Sequence, residues 1–163
     1  MKLLNFFKNN RLFVYGSLRA GERNHSRLTG ARYIGNATTS GVLYAAHTGS
    51  TVMPVATMPD TTGHQKITGE LYEIDDPDHL TEIDRFEGVP TIYRRKILPV
   101  FTENGRTVSA GIYYQPFHRL FTFHDDIVYV PSGDWKNQET PAVSSLVFVT
   151  HDVEMQAPVV ATG

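Results

Sequence analysis

The chain has 163 residues, 40% of them hydrophobic and 20% charged, with 13 glycines and 9 prolines, a length and composition that fit one globular domain and exclude disordered and fibrous classes. Fifteen basic residues against 17 acidic ones leave a net charge of -2, which gives no electrostatic ground for nucleic acid or an anionic membrane as partner and points to a small molecule or another protein. The absence of cysteine excludes disulfides, thiolate metal sites and a cysteine nucleophile, and fits a reducing compartment, the cytoplasm by default.

In chain order, residues 1–10 (MKLLNFFKNN) carry an apolar stretch broken by Asn5 and Lys8, too short for a signal-peptide core or a membrane span. They read as a leader before a domain spanning residues 11–135. Leu12 to Tyr15 is an apolar run stopped by Gly16, the pattern of a buried strand that delivers the chain into a turn. Gly41 to Tyr44 reads as a second short strand, with loops over residues 38–51 and 54–65. Ile67 to Ile74 is rich in strand formers and holds Gly69, which marks a bulge or a close backbone contact.

The period then changes. Asp76 can cap a helix that starts at Pro77 and runs to about Glu87, with Gly88 ending it. Its apolar residues Leu80 and Ile83 continue as a stripe into Asp84 and Glu87, so the spacing predicts a carboxylate on the buried side. Tyr93 to Phe101 and Val108 to Tyr114 form a hairpin through Asn104-Gly105, a dipeptide that tolerates positive φ at both turn positions. Strand-like segments follow at Asp126 to Val130 and Leu146 to Thr150. Many short strands with one or two helices predict the α+β class, as a curled, mostly antiparallel sheet or small barrel.

Two features can carry chemistry. In Tyr15-Gly16-Ser17-Leu18 a strand ends in glycine, and successive N–H groups in such a turn form a concave donor set for carboxylate or phosphate. The plainer reading is a simple strand-to-loop turn. Glu87 on an inward stripe must be paired, neutral or functional. A salt bridge to Arg94 or Arg95 would make it structural, whereas desolvation without a partner would raise its pKa toward neutrality and suit it to proton transfer in both directions.

Two rival chemistries are weaker. A serine hydrolase would use Ser17, His25 and Glu87, but the G-x-S-x-G elbow is absent. A metal site would draw on His118, His124, Asp125 and Asp126, without the spacing of a known ligand motif.

Together the segments FVYGSLRAGERNH (13–25), ITGELYEID (67–75), LTEIDRFEGVPTIYRRKILPV (80–100), SAGIYY (109–114) and PSGDW (131–135) resemble the gamma-glutamylcyclotransferase-like family, of the gamma-glutamylamine cyclotransferase type. The resemblance covers residues 12 to 135. It implies a small mixed or antiparallel β-barrel flanked by helices, with the substrate in a cavity at one side. It further implies that loop amides of Tyr15, Gly16, Ser17 and Leu18 hold the amino-acid head of the ligand, so that Ser17 acts through its backbone, and that Glu87 is the catalytic acid-base. Tyr93 and Tyr113 would line the cavity with an apolar face and a hydroxyl. Asn24 and His25 would orient the loop or cap the next helix, and residues 132–135 would close the sheet.

The activity so implied is release of 5-oxoproline and a free amine from a gamma-glutamyl amine or peptide by intramolecular aminolysis, with no cofactor or metal. The alternative is a binding protein of the same fold that sequesters a small anionic metabolite. The chain departs from the compact members in its C-terminal extension, residues 136–163, whose hydrophobic alternation leaves room for an extra strand, a cavity cover or a homodimer interface.

Overall fold

The computed structural model describes residues 9–58 and 65–137. The leader up to residue 8 and the expected strand at Leu146 to Thr150 lie outside the described residues. Within them are seven strands: β1 (Arg11–Val14), β2 (Arg32–Thr48), β3 (Thr51–Thr57), β4 (Gln65–Glu73), β5 (Arg94–Thr102), β6 (Thr107–Tyr114) and β7 (Asp126–Tyr129). Helix α1 spans Pro77–Phe86, and a single turn, α2, spans Leu120–Phe123. No helix of the described residues is long and apolar enough to cross a membrane.

The strands β2, β4, β1, β6 and β5 lie side by side in that order, and β5 returns to β2 through Ala37↔Thr102 and Thr38↔Phe101. The sheet thereby closes into a five-stranded barrel. Only β1 and β6 run parallel; the other ladders are antiparallel. Beyond the barrel, the far half of β2 carries β3 on one edge and β7 on the other.

The apolar run of β1 is explained by this position. Leu12, Phe13 and Val14 are all buried, because the strand is covered on both faces. Leu12 and Val14 join Leu80 and Ile83 of α1 in one cluster, while Phe13 joins Ile67, Leu71, Val100, Ile112 and Trp135 in another. Alternate residues of one short strand thus belong to two cores, as the two-residue period of a strand requires. Gly69 of β4 marks a close approach without a bulge, since a side chain there would run into the Val14 carbonyl and the Phe13 ring.

Three local expectations are corrected. The strand expected at Gly41 to Tyr44 is the middle of a 17-residue strand, and the loop expected over residues 38–51, with the start of the one expected from residue 54, is β2 and β3 paired as a hairpin. The polar run Thr38-Thr39-Ser40 reads as loop, yet Thr39 is buried and its hydroxyl donates to the Pro99 carbonyl at 2.8 Å. Pro54, a loop signal, is tolerated because β3 is an edge strand. In the β5–β6 hairpin only Gly105 takes positive φ (78°), so the connection is a tight turn closed by glycine and not a doubly left-handed one.

Candidate active site

The loop after β1 is shaped by what surrounds it. Gly16 is buried against β3, where any side chain would overlap the Pro54 ring. The chain then folds back on itself: the Arg19 amide donates to the Gly16 carbonyl (3.0 Å) and the Asn24 amide to the Ser17 carbonyl (2.9 Å). The Asn24 side chain donates to the Ser17 hydroxyl at 2.9 Å, and His25 donates through Nδ1 to the Leu18 carbonyl at 2.9 Å. Asn24 makes no side-chain cap on the short 3-10 turn that follows. Asn24 and His25 therefore orient the loop. Among the described residues the Ser17 and Leu18 amides make no hydrogen bond to another backbone or side-chain group. They are the donors left for a ligand.

Behind the loop is a buried ionic support. Arg19 donates through Nε to Glu70 at 3.3 Å and through Nη1 to Asp134 at 2.6 Å, and the Ala20 amide donates to the second Glu70 oxygen at 2.8 Å. The Tyr72 hydroxyl (2.9 Å) and the Lys136 ammonium (3.3 Å) complete the Glu70 shell. Burial opposes ionisation of Glu70, but the Ala20 amide, Tyr72, Lys136 and Arg19 outweigh it and hold the carboxyl below its ordinary value. Sequence reasoning passed over this support. Its signal was a glutamate inside the strand ITGELYEI, where a buried charge demands a partner.

Glu87 is delivered by α1. The Asp76 side chain accepts from the Asp78 amide at 2.9 Å and Pro77 occupies the first position. The helix stops at Phe86, so Glu87 is its C-cap and not an interior residue, its amide donating to the Ile83 carbonyl at 2.9 Å. Gly88 follows at φ 68°, a conformation that favours glycine. The side chain is half-buried.

The salt bridge that would have made Glu87 structural goes to its neighbour. Arg95 grips Asp84 with two bonds, 2.8 and 3.0 Å, and Asp84 also accepts from the Tyr113 hydroxyl at 2.7 Å. Burial pushes the Glu87 carboxyl up to about 7, with Arg27 pulling it back and the Asp84 charge adding to the rise. Arg27 is itself stacked on the Phe86 ring at 3.6 Å.

Loop and glutamate meet in one cavity of about 210 Å³, lined by Tyr15, Gly16, Ser17, Leu18, Asn24, Glu87, Tyr93 and Tyr113 together with Arg23, Met53, Pro54, Phe86 and Ile92. It is small beside the roughly 300–1,000 Å³ of drug-sized sites. A more open groove of about 720 Å³ between residues 24–30 and the start of α1 holds neither Glu87 nor residues 15–18.

The tyrosines contribute differently from expectation. Tyr15 donates to the Tyr113 carbonyl (2.8 Å) and accepts from the Ala56 amide (3.1 Å), while Tyr93 donates to the Pro54 carbonyl (2.8 Å). Their hydroxyl protons, and that of Tyr113, are committed to the protein, so the cavity receives rings and oxygen acceptors instead. Burial raises all three pKa values, which keeps them neutral.

Neither rival chemistry is assembled. Ser17 bonds Asn24, and His25 faces the Leu18 carbonyl, so the two make no nucleophile-base pair. His124 is turned between Thr48 (3.0 Å) and Gln115 (3.1 Å), and among the described residues no group of three or more His, Asp or Glu side chains could hold a metal ion.

The same fold and segments recur in known proteins. The profile of the family described as "Gamma-glutamyl cyclotransferase, AIG2-like" matches residues 12–137. A protein of Methanocaldococcus jannaschii carrying the name "Putative gamma-glutamylcyclotransferase MJ1514" is 34% identical over 127 residues, covering 77% of this chain and 95% of that one. A Vibrio cholerae protein with the name "Putative gamma-glutamylcyclotransferase" is 36% identical over 126 residues, covering 76% and 93%. The crystal structure of an AIG2-like protein from Mus musculus superposes with a TM-score of 0.57 at 30% identity, covering 65% of this chain and 76% of that one. With a match across the barrel, the loop and the helix that delivers Glu87, this chain belongs to the gamma-glutamyl cyclotransferase, AIG2-like family.

Proposed function

We propose that the protein is a gamma-glutamyl cyclotransferase that releases 5-oxoproline and a free amine from a gamma-glutamyl amine, amino acid or isopeptide. The observation that carries this reading is a carboxyl group held near pKa 7 in the same small cavity as a loop with open backbone amides. The Ser17 and Leu18 amides take the α-carboxylate of the glutamyl unit and stop its rotation, bringing its α-amine against its own γ-carbonyl. The nitrogen–carbon bond of the five-membered ring forms as the bond to the departing nitrogen breaks. Glu87 accepts the proton lost by the attacking amine and returns it to the leaving nitrogen, so the carboxylate is regenerated and no water is consumed.

Support comes from the freedom of Glu87 from any salt bridge among the described residues, since a paired carboxylate would be too weak a base. The reaction so written needs no metal or organic cofactor. A panel of gamma-glutamyl amines, amino acids and γ-glutamyl-ε-lysine, read by mass spectrometry for 5-oxoproline, tests it. At least one member is expected to be cyclised. Glu87→Gln is expected to lower turnover by about 10³-fold, the middle of the range of acid-base contributions, while binding persists. Binding across the panel without any 5-oxoproline would make the protein a carrier of such metabolites instead.

A further inference from the structure

Among the described residues the arginines around the cavity are committed, with one exception. Arg19 is held by Glu70 and Asp134, Arg95 by Asp84, and Arg27 lies over Phe86. Arg23 lines the cavity wall, is exposed, and among the described residues makes no salt bridge or hydrogen bond. The cavity therefore has a buried end, with Tyr15, Gly16 and Leu18 out of solvent, and an exposed end that carries a cation.

Arg23 shares the cavity lining with Tyr93. Its charge is felt at Tyr93, whereas the charges felt at Glu87 are those of Arg27 and Asp84. A cation beside Glu87 would hold it ionised and weaken it as a base. Placed at the mouth, the same cation leaves that base intact and faces whatever part of the ligand points outward. Ring closure occurs at Glu87, so the outward part is the departing amine.

We propose that Arg23 is the residue that selects the leaving group: its guanidinium favours gamma-glutamyl compounds whose departing amine carries a carboxylate, that is gamma-glutamyl amino acids, over those that release a neutral or cationic amine. This rests on the cyclotransferase reading of the cavity. Arg23 takes no part in bond making or breaking. It is a binding group for the portion of the substrate that leaves.

The test compares γ-glutamylglycine with γ-glutamyl methylamide, which share the glutamyl head and differ in the terminal carboxylate, using wild type and Arg23→Gln. The variant is expected to lose about tenfold in kcat/KM on γ-glutamylglycine, the size of one charge-assisted hydrogen bond discounted for solvent exposure. It should change less than about twofold on the methylamide, and added salt should shrink the wild-type preference. An equal loss on both substrates would overturn the proposal, because Arg23 would then hold the shared head or support the fold.

Titrating the two compounds into Glu87→Gln and into Arg23→Gln/Glu87→Gln separates this from the activity itself. A preference for γ-glutamylglycine that needs Arg23, without turnover in wild type, would keep the Arg23 assignment and overturn the cyclotransferase. Turnover in wild type without any carboxylate preference would do the reverse.

Discussion

The arrangement around Glu87 separates two carboxylates that lie three positions apart on one helix. Asp84 has Arg95 and the Tyr113 hydroxyl, and Glu87 has a half-buried cavity wall. In the reaction proposed above, environment alone divides their roles, one a fixed anchor and the other a proton carrier. Since Glu87 must be ionised to accept a proton, kcat/KM is expected to rise through an inflection near pH 7 on the acid side of its profile. The same shift has a cost in stability. Glu87 binds its proton more tightly folded (about 7) than at its ordinary value of 4.5, so its contribution is favourable below 4.5 and is lost as pH rises through 7. Glu87→Gln should therefore stabilise the protein at pH 8 by about 1–2 kcal/mol, less than full linkage because the group is only partly buried, while turnover falls by about 10³-fold. Urea denaturation at pH 4 and pH 8 checks the sign, and the gain should shrink toward zero at the lower pH. Glu87 itself was legible from helical spacing and a following glycine. Its freedom from Arg94 and Arg95 was not, because which of two carboxylates an arginine meets depends on the turn between helix and strand.

At the scale of elements, the helix ends and the β5–β6 hairpin were readable and the long strand was not. Asp76, Pro77 and Gly88 punctuate α1 with local chemistry that needs no tertiary information. By contrast, β2 is written in Thr, Ser, Gly and Ala, and only its ladders to β3, β4, β5 and β7 make it one strand. The end of α1 matters to the proposed chemistry because Glu87 is its C-cap and Gly88, at φ 68°, turns the chain directly after it. Gly88→Ala forces an alanine to φ 68° against Ile92, at 2.9 Å from its Cδ1. The expected cost is about 1–2 kcal/mol, with a larger loss in kcat than in binding as Glu87 is turned off its line. Asp76→Ala, at the other end of the same helix, should cost about 1 kcal/mol with kcat unchanged. Thermal melts with paired kinetics distinguish an element that merely folds from an end that aims a side chain.

Across the whole molecule, the loop after β1 and the helix that delivers Glu87 are carried by one barrel, closed by β5 against β2. The barrel class and the site segments could be read from an ordered set of short motifs, but the Arg19–Glu70–Asp134 support could not, because its members are separated by 51 and 115 positions. Removing one charge from that buried set leaves the others unpaired, so Glu70→Gln or Arg19→Met is expected to cost about 3–5 kcal/mol. Both should weaken binding of the glutamyl head before they alter the pH profile, as equilibrium titration of Glu87→Gln carrying either change would show. The Arg19–Asp134 contact also dates the completion of the loop's support. A chain being made on the ribosome presents the loop at the outset, yet Asp134 is added only after every strand of the barrel has been synthesised. Until then the loop after β1 lacks its rear brace.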